Sequence, residues 1–384
     1  MRIALVSDCY LPRLGGIETQ VAGLTRALAD AGNQVCVYTA TSGEDADAPT
    51  TSGGRLKIRR LALPLPASLP YNPLAAGDLA RELPHFDVVH VHCSTFSPLA
   101  RAATNIAVRL KLPTVVTWHS VVSDMAALFK RFYPLAAWAR AGVILTAVSV
   151  PAAAAIGDIA GLPIEVLPNS INAAPWDKIR QARGQVNTQP GGESGGNSGP
   201  DGPGRGPLRV VTACRLVRRK RVLELLKVVE NARQRGADIE LTIYGDGMLM
   251  PVLQRRQRAG YAVNLVGRVE AAQLAQAYAG ADLFASAVTK EAFGIAALEA
   301  HACGLPVIYR KGSGISDFIT DGEDGLAARS DEHLTAMLVQ LDNDRDLLAH
   351  LQRGAAAAEP VTWERAVDIV GDFYRKAQAA VSGR

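Results

Sequence analysis

Short apolar runs alternate along the chain with longer segments whose apolar positions recur every three or four residues. The runs at 2–7, 34–40, 57–61, 87–92, 113–120 and 143–149, and later at 208–214, 239–244, 263–266 and 282–287, read as central parallel strands covered on both faces. Between the first two, Val21, Leu24 and Leu28 keep helical spacing until Gly32 stops it. The repetition predicts an α/β chain built on parallel sheets. From about 181 to 207 the pattern fails: Gly, Ser, Pro and Asn dominate, no core can be buried, and a flexible insertion is expected. It separates a Rossmann-like unit at 1–170, with a hinge and insertion at 171–207, from a second at 208–360. A terminal helix at 361–384 carries an apolar stripe of Trp363, Val367, Val370 and Phe373.

The densest chemistry lies at 290–300, Lys-Glu-Ala-Phe-Gly-Ile-Ala-Ala-Leu-Glu-Ala, between the run at 282–287 and a helix stop at Gly304 and Pro306. Open parallel sheets bind ligands outside the carboxyl ends of their strands, where the free N–H groups of a helix start favour an anion. Glu291 falls in the loop, and Glu299 lies one turn beyond Ile295 on the same face. Two carboxylates therefore stand at different depths of one expected pocket, with the amides of Phe293, Gly294 and Ile295 between them. Paired carboxylate acceptors suit the vicinal hydroxyls of a sugar or ribose. A solvated helix face would carry the same two glutamates, so the neighbouring loops decide.

Four of those loops carry matching signals. Gly15 and Gly16 lie between the first strand and its helix, where paired glycines let the backbone approach a ligand, with positive φ where required. The loop from Arg215 through Lys220 to Arg221 places cations before a helix, suited to a diphosphate whose charge grows as a sugar departs. Gly245 and Gly247 follow a strand but lack the full G-x-G-x-x-G pattern, which removes the dehydrogenase reading. His119 ends a strand, and its position alone leaves a core role equally open. His90 and His92 alternate onto one strand face, with no third ligand spaced to complete a metal site.

The run Glu-Ala-Phe-Gly-Ile-Ala-Ala-Leu-Glu-Ala, followed by Ala302-Cys303-Gly304-Leu305-Pro306-Val307-Ile308, resembles the E-x7-E signature of the retaining glycosyltransferases of family GT4, and the likeness extends over nearly the whole chain. The resemblance implies the GT-B fold, two Rossmann-like domains facing across a deep cleft, with the acceptor held by the first, the nucleotide-sugar by the second, and the last helix crossing back to the first. It lays Gly15 and Gly16 against the donor diphosphate, His119 against the donor sugar, and matches Arg215 and Lys220 to the family's Arg and Lys five residues apart. It also sets Gly245 and Gly247 near the nucleotide and brings the base to the backbone at Arg268 and Val269. Arg218, Arg219 and Arg221 are expected outside direct contact. Within the family, the stretch from Val6 to Glu18 and the residues from His92 to Ser120 look closest to phosphatidylinositol N-acetylglucosaminyltransferases, with the bacterial phosphatidylinositol mannosyltransferases more distant. Trp118 departs from the pattern, which has an acidic residue there, and Lys290 adds a cation beside Glu291.

Composition narrows this further. At 384 residues, 48% hydrophobic and 20% charged, the chain is long enough for two ordinary cores. A net charge of +4 makes no case for nucleic acid, although a local basic patch could meet anionic headgroups. The five cysteines are scattered without a C-x-x-C pair and read as small apolar residues in a reducing compartment. No leader and no bilayer-spanning run is evident, so a cytoplasmic enzyme is expected, peripheral at the inner membrane face if it touches lipid. The segment 123–140 combines Met125, Leu128, Phe129, Phe132, Leu135 and Trp138 with Lys130, Arg131 and Arg140, which suits either an interfacial helix or packing on its own domain.

The expected activity is transfer of a hexose or N-acetylhexosamine from a UDP- or GDP-sugar to a hydroxyl acceptor, phospholipid or glycolipid among the candidates, with retained configuration and no metal or further cofactor. His119, Arg215, Lys220 and Glu291 would carry the catalysis. A nonhydrolysing sugar-nucleotide epimerase would need acid and base groups that the sequence does not show. A protein that only binds nucleotide-sugars would lack Glu291 or Lys220, and both are present.

Overall fold

A computed structural model of the chain describes residues 1–13, 15–43, 55–63, 72, 74–122, 126–188 and 206–383. It divides into two compact units, one formed by Met1–Asn172 with Val361–Arg384 and the other by Ala173–Pro360. The first holds seven parallel strands: β1 (Arg2–Ser7), β2 (Gln34–Thr39), β3 (Leu56–Arg60), β4 (Val88–Cys93), β5 (Thr114–Trp118), β6 (Ile144–Ala147) and β7 (Glu165–Val166). Their order is β3-β2-β1-β4-β5-β6-β7. The second holds six more: β8 (Leu208–Ala213), β9 (Ile239–Tyr244), β10 (Val263–Gly267), β11 (Leu283–Ser286), β12 (Val307–Arg310) and β13 (Gly325–Ala328), in the order β10-β9-β8-β11-β12-β13. All pair in parallel, and β1, β4 and β5 are buried almost end to end, which is why they read as unbroken apolar runs. Both sheets reverse direction at one place, β1/β4 in the first and β8/β11 in the second. Each such reversal opens a crevice at the carboxyl ends of its two strands.

The terminal helix Trp363–Ser382 belongs to the first unit and packs on the helix Gly16–Asp30 and on β4, β5 and β6. Its Val370, Phe373 and Tyr374 are buried, and Trp363 lies so close to Gly23 that a Cβ there would stand 2.2 Å from the indole. The stripe of apolar residues on this helix faces the sheet.

Two expectations about local structure are corrected. The segment 181–188, expected to be flexible, continues the helix Ala174–Thr188. Long-range packing overrides its weak composition: Trp176 is buried, and the Arg183 guanidinium donates to the carbonyls of Tyr278, Ala279 and Ala281 at 2.7, 3.1 and 2.5 Å. Residues 189–205 lie outside the described residues. The segment 123–140 is not one amphipathic helix but two short ones, Ala126–Phe132 and Leu135–Arg140, parted at Tyr133 and Pro134. Phe129, Tyr133, Leu135 and Trp138 turn into the first core, so these apolar positions pack on their own unit; Met125 lies outside the described residues. Trp118, the departure from the acidic pattern, is fully buried edge-on to Phe129 and Tyr133 at 4.9 and 4.8 Å. Burying that indole excludes an uncompensated charge at the same place. Among the described residues no helix is long and apolar enough to cross a membrane.

Candidate active site

In the second unit, the loops that follow β8 and β11, the two strands at the reversal, supply the chemistry. Cys214 to Arg221 leave β8, turn through the single 3-10 turn Arg218–Lys220, and enter the helix Val222–Gln234. Residues 287–294 leave β11 and enter the helix Ile295–Ala302. Lys220 Nζ and Glu291 Oε2 meet at 2.5 Å, with side chains 20% and 15% exposed. Both line a narrow cavity together with Gly294, Ile295, Ala296 and Ala297, the first turn of that helix. Gly294 adopts φ +94°, and a Cβ there would meet Ile315 Cγ1 at 2.7 Å. Only glycine fits both demands, and this sharp entry is what brings the helix N-terminus into the cavity. A cation, a carboxylate and the first-turn amides of a helix therefore share one small space, which suits an anion bearing hydroxyl groups.

The other expected donor residues of this unit are placed as follows. Glu299 does not line that cavity; it is part-buried, its carboxyl makes no hydrogen bond among the described residues, and burial pushes that carboxyl up to about 7. The Phe293 ring is buried against Phe318 at 5.2 Å, one residue before Gly294, which lines the cavity. Arg215 is exposed on the same loop as Lys220, and Arg268 is exposed after β10. Val269, also in the loop that follows β10, is half-buried. Gly245 and Gly247 do not line the cavity, and the structure gives them a packing reason: a Cβ on Gly245, at φ +124°, would stand 1.9 Å from the Cys214 carbonyl oxygen, and one on Gly247 2.6 Å from that of Leu216. The amide of Leu216 donates to the Asp246 carbonyl at 2.9 Å and that of Gly245 to the Gly267 carbonyl at 2.8 Å, so the turn after β9 stitches its neighbouring loops together. Arg221, expected to stand apart, clamps the Lys220 loop: its guanidinium donates to the Ala287 carbonyl at 2.9 Å and to Asp331 at 2.6 Å.

In the first unit, His119 directly follows β5, and its Nε2 shares a 3.0 Å hydrogen bond with His92 Nδ1 on β4. His119 is part-exposed, and its ring makes no other hydrogen bond among the described residues. It lines a second cavity with His92, Gln20, Asn169 and Trp363. Gln20 holds one wall by pairing with the Ser170 backbone in both directions, at 2.8 and 3.0 Å. Beneath, His90 stacks on His92 with ring centroids 4.3 Å apart. Its hydrogen bonds form a chain whose direction can be assigned. Thr146 donates to the Val116 carbonyl at 3.3 Å, so it accepts from Thr117 at 2.8 Å. Thr117 then accepts from His90 Nε2 at 2.8 Å, and His90 Nδ1 accepts from the Tyr374 hydroxyl at 3.0 Å. Every member is satisfied, which is the condition for such a network to be stable in a core. Burial holds the imidazoles neutral: His90 and His119 are pushed down to about 3, and His92 is shifted the same way.

Gly15 and Gly16 lie after β1, where the helix Gly16–Asp30 begins. Gly15 is extended at φ 176° and Gly16 is already helical, so neither uses the left-handed region. The Gly15 carbonyl is occupied by the Thr19 amide and hydroxyl, at 3.1 and 3.0 Å. The helix Pro98–Arg109, a second possible anion site, is already capped: Asp8, just after β1, accepts from the amides of Leu99 and Ala100 at 2.9 and 3.1 Å. Sequence reasoning passed over Asp8, His92 as the partner of His119, Gln20 and Tyr374. A histidine on each of two adjacent strands was the only advance signal. Among the described residues no group of three metal-ligating side chains converges.

Two family models match, one in each unit: "Glycosyltransferase Family 4" over residues 14–174 and "Glycosyl transferases group 1" over residues 207–344. The chain is similar to the alpha-monoglucosyldiacylglycerol synthase of Acholeplasma laidlawii, 25% identical with 92% of each chain covered. It is also similar to one component of the human phosphatidylinositol N-acetylglucosaminyltransferase, 24% identical over 83% of this chain and 64% of that one. Among solved structures it superposes on Anabaena HepE, crystallised with UDP and glucose, with TM-score 0.71, 16% identity, and 97% and 98% of the two chains covered. With parallel strands in both sheets and both halves matched, the chain belongs to the family 4 glycosyltransferases and has their GT-B fold.

Proposed function

We propose that the enzyme transfers a hexose or N-acetylhexosamine from a UDP- or GDP-sugar to a hydroxyl of a lipid or glycolipid, with the anomeric configuration retained and without a metal ion. The observation that carries this reading is the Lys220–Glu291 pair at the start of the helix Ile295–Ala302. In the free enzyme the two charges neutralise each other. A diphosphate competes for Lys220 through a stronger charge-assisted contact, with the helix amides and Arg215 beside it, and releases Glu291 to accept from sugar hydroxyls. As the sugar departs, the growing phosphate charge is met by the same cations, which is stabilisation realised most fully in the transition state. Glu299, whose carboxyl makes no hydrogen bond among the described residues, is assigned the ribose hydroxyls, and Gly15, Gly16 and His119 the diphosphate and sugar from the first unit. Arg268 and Val269 are assigned the base. No side chain is placed as a nucleophile, so the acceptor attacks from the side of the leaving group and its proton passes to the leaving phosphate oxygen.

The lipid acceptor is supported by the names of the two relatives, an alpha-monoglucosyldiacylglycerol synthase and a subunit of phosphatidylinositol N-acetylglucosaminyltransferase. The test is incubation with UDP- and GDP-sugars and vesicles containing diacylglycerol or phosphatidylinositol, in EDTA, with product read by mass spectrometry and NMR. A glycolipid with the donor's anomeric configuration is expected. An inverted product, or activity only on adding a divalent metal, would overturn the reading.

A further inference from the structure

We propose that His92 is the positioning residue of the first unit's site, and that it fixes His119 in the tautomer whose proton sits on Nδ1, turned to the ligand as a donor. The inference rests on the sugar-facing role proposed for His119.

One ring nitrogen of His92 is orphaned. The residue is 2% exposed, its Nδ1 meets His119 Nε2 at 3.0 Å, and its Nε2 is buried with no hydrogen-bond partner among the described residues. Two tautomer assignments satisfy the contact. In one, His119 Nε2–H donates to His92 Nδ1, which puts the His92 proton on Nε2 and strands an N–H in the core. In the other, His92 Nδ1–H donates to His119 Nε2, and the stranded atom is only a lone pair. An N–H without an acceptor is the rarer defect in protein interiors, so the network assigns the second. His119 Nε2 is then an acceptor, its proton lies on Nδ1, and Nδ1 is the nitrogen that no protein group engages among the described residues.

Neighbouring groups keep His92 in this pose. Its ring is stacked on His90, whose own tautomer is locked between Tyr374 and Thr117, and β4 and β5 are held in register with His92 opposite Thr117 and the His119 amide on the Cys93 carbonyl at 2.9 Å. The contacts from the terminal helix to His119 therefore run by a hydrogen bond from Tyr374 to His90, by stacking of His90 on His92, and by the hydrogen bond between His92 and His119. A neutral donor of fixed direction is what a sugar hydroxyl or ring oxygen needs, and a misdirected one loses rate more than ground-state affinity.

The test is nitrogen NMR of the full-length enzyme labelled in histidine, in the parent, His92→Phe and His92→Asn. Asparagine is the conservative variant because its amide nitrogen falls where Nδ1 stands and can still donate. The parent is expected to show His119 protonated on Nδ1, His92→Phe to shift that population, and His92→Asn to keep it. With the sugar nucleotide that ligand screening selects, His92→Phe should lower kcat by about 10- to 100-fold with KM nearly unchanged, and His92→Asn should recover most of it. A parent enzyme with the His119 proton on Nε2, or a His92→Phe tautomer identical to the parent's, overturns the inference; the parent spectrum decides even if His92→Phe fails to fold. Full turnover by His119→Ala would overturn the underlying role of His119 instead, and the tautomer measurement tells the two failures apart.

Discussion

The two units present ligand groups by opposite electrostatic means. The second unit sets a cation against a carboxylate at a helix terminus, both within reach of water. The first sets neutral imidazoles, His90 in a buried and directional hydrogen-bond chain and His92 stacked on it with a hydrogen bond of its own to His119. A charged pair can exchange its partner for a ligand, so it suits the part of a substrate whose charge changes. A neutral chain cannot be screened by salt and suits the part that must be oriented. The difference predicts that substitutions in the second unit act through nucleotide binding and substitutions in the first through turnover.

The largest effect is expected at Lys220. Lys220→Ala removes a cation from the leaving group and strands Glu291, so kcat/KM should fall by about 100-fold or more, measured with saturating acceptor. His119→Ala should lower kcat by about 100-fold while leaving UDP or GDP affinity, measured by calorimetry, within about threefold of the parent. Equal losses of nucleotide affinity in both variants would erase the proposed division between the units. Next in size is Tyr374→Phe, which removes the donor to His90 and should cost about 1–2 kcal/mol in chemical denaturation without touching nucleotide binding.

The smallest effect concerns pH. Glu299 is held at about 7 against an ordinary 4.5, so the folded state binds the proton more tightly than the unfolded one. Its contribution is fully present below about pH 4.5 and is lost as pH rises through 7; Asp8, also pushed up to about 7, adds the same sign. Glu299→Gln should therefore flatten, but not abolish, the decline of stability between pH 4.5 and 7. The imidazoles act oppositely: with His90 and His119 at about 3, their contribution is complete above the ordinary 6.5 and is lost as pH falls towards 3. An unchanged pH slope in Glu299→Gln would contradict the burial of that carboxyl.

Much of the architecture was legible because continuous apolar runs are what strands covered on both faces require, and β1, β4, β8 and β11 show it. Lys220 and Glu291 were legible because each follows such a run at a loop. That they bond to each other was not, since 71 residues separate them and only the β8–β11 pairing brings their loops together. His92 escaped for the same reason: its partner depends on the register of β4 against β5. The packing demand on Gly245 was not legible either: its positive φ and the lack of room for a Cβ beside the Cys214 carbonyl depend on the pairing of β8 with β9. The helix Ala174–Thr188 was hidden by poor local composition and exists through Trp176 and Arg183.

The most direct measurement is thermal unfolding of the parent and of Lys220→Ala, each with UDP and with GDP in EDTA. A nucleotide at about 100 times its dissociation constant should stabilise the parent by roughly 2.7 kcal/mol, and the variant should lose most of that shift. One nucleotide acting on the parent alone would establish the charge-paired cavity of the second unit as the diphosphate site and name the donor's base. A full shift retained by Lys220→Ala, or no shift in the parent with either nucleotide, would contradict it.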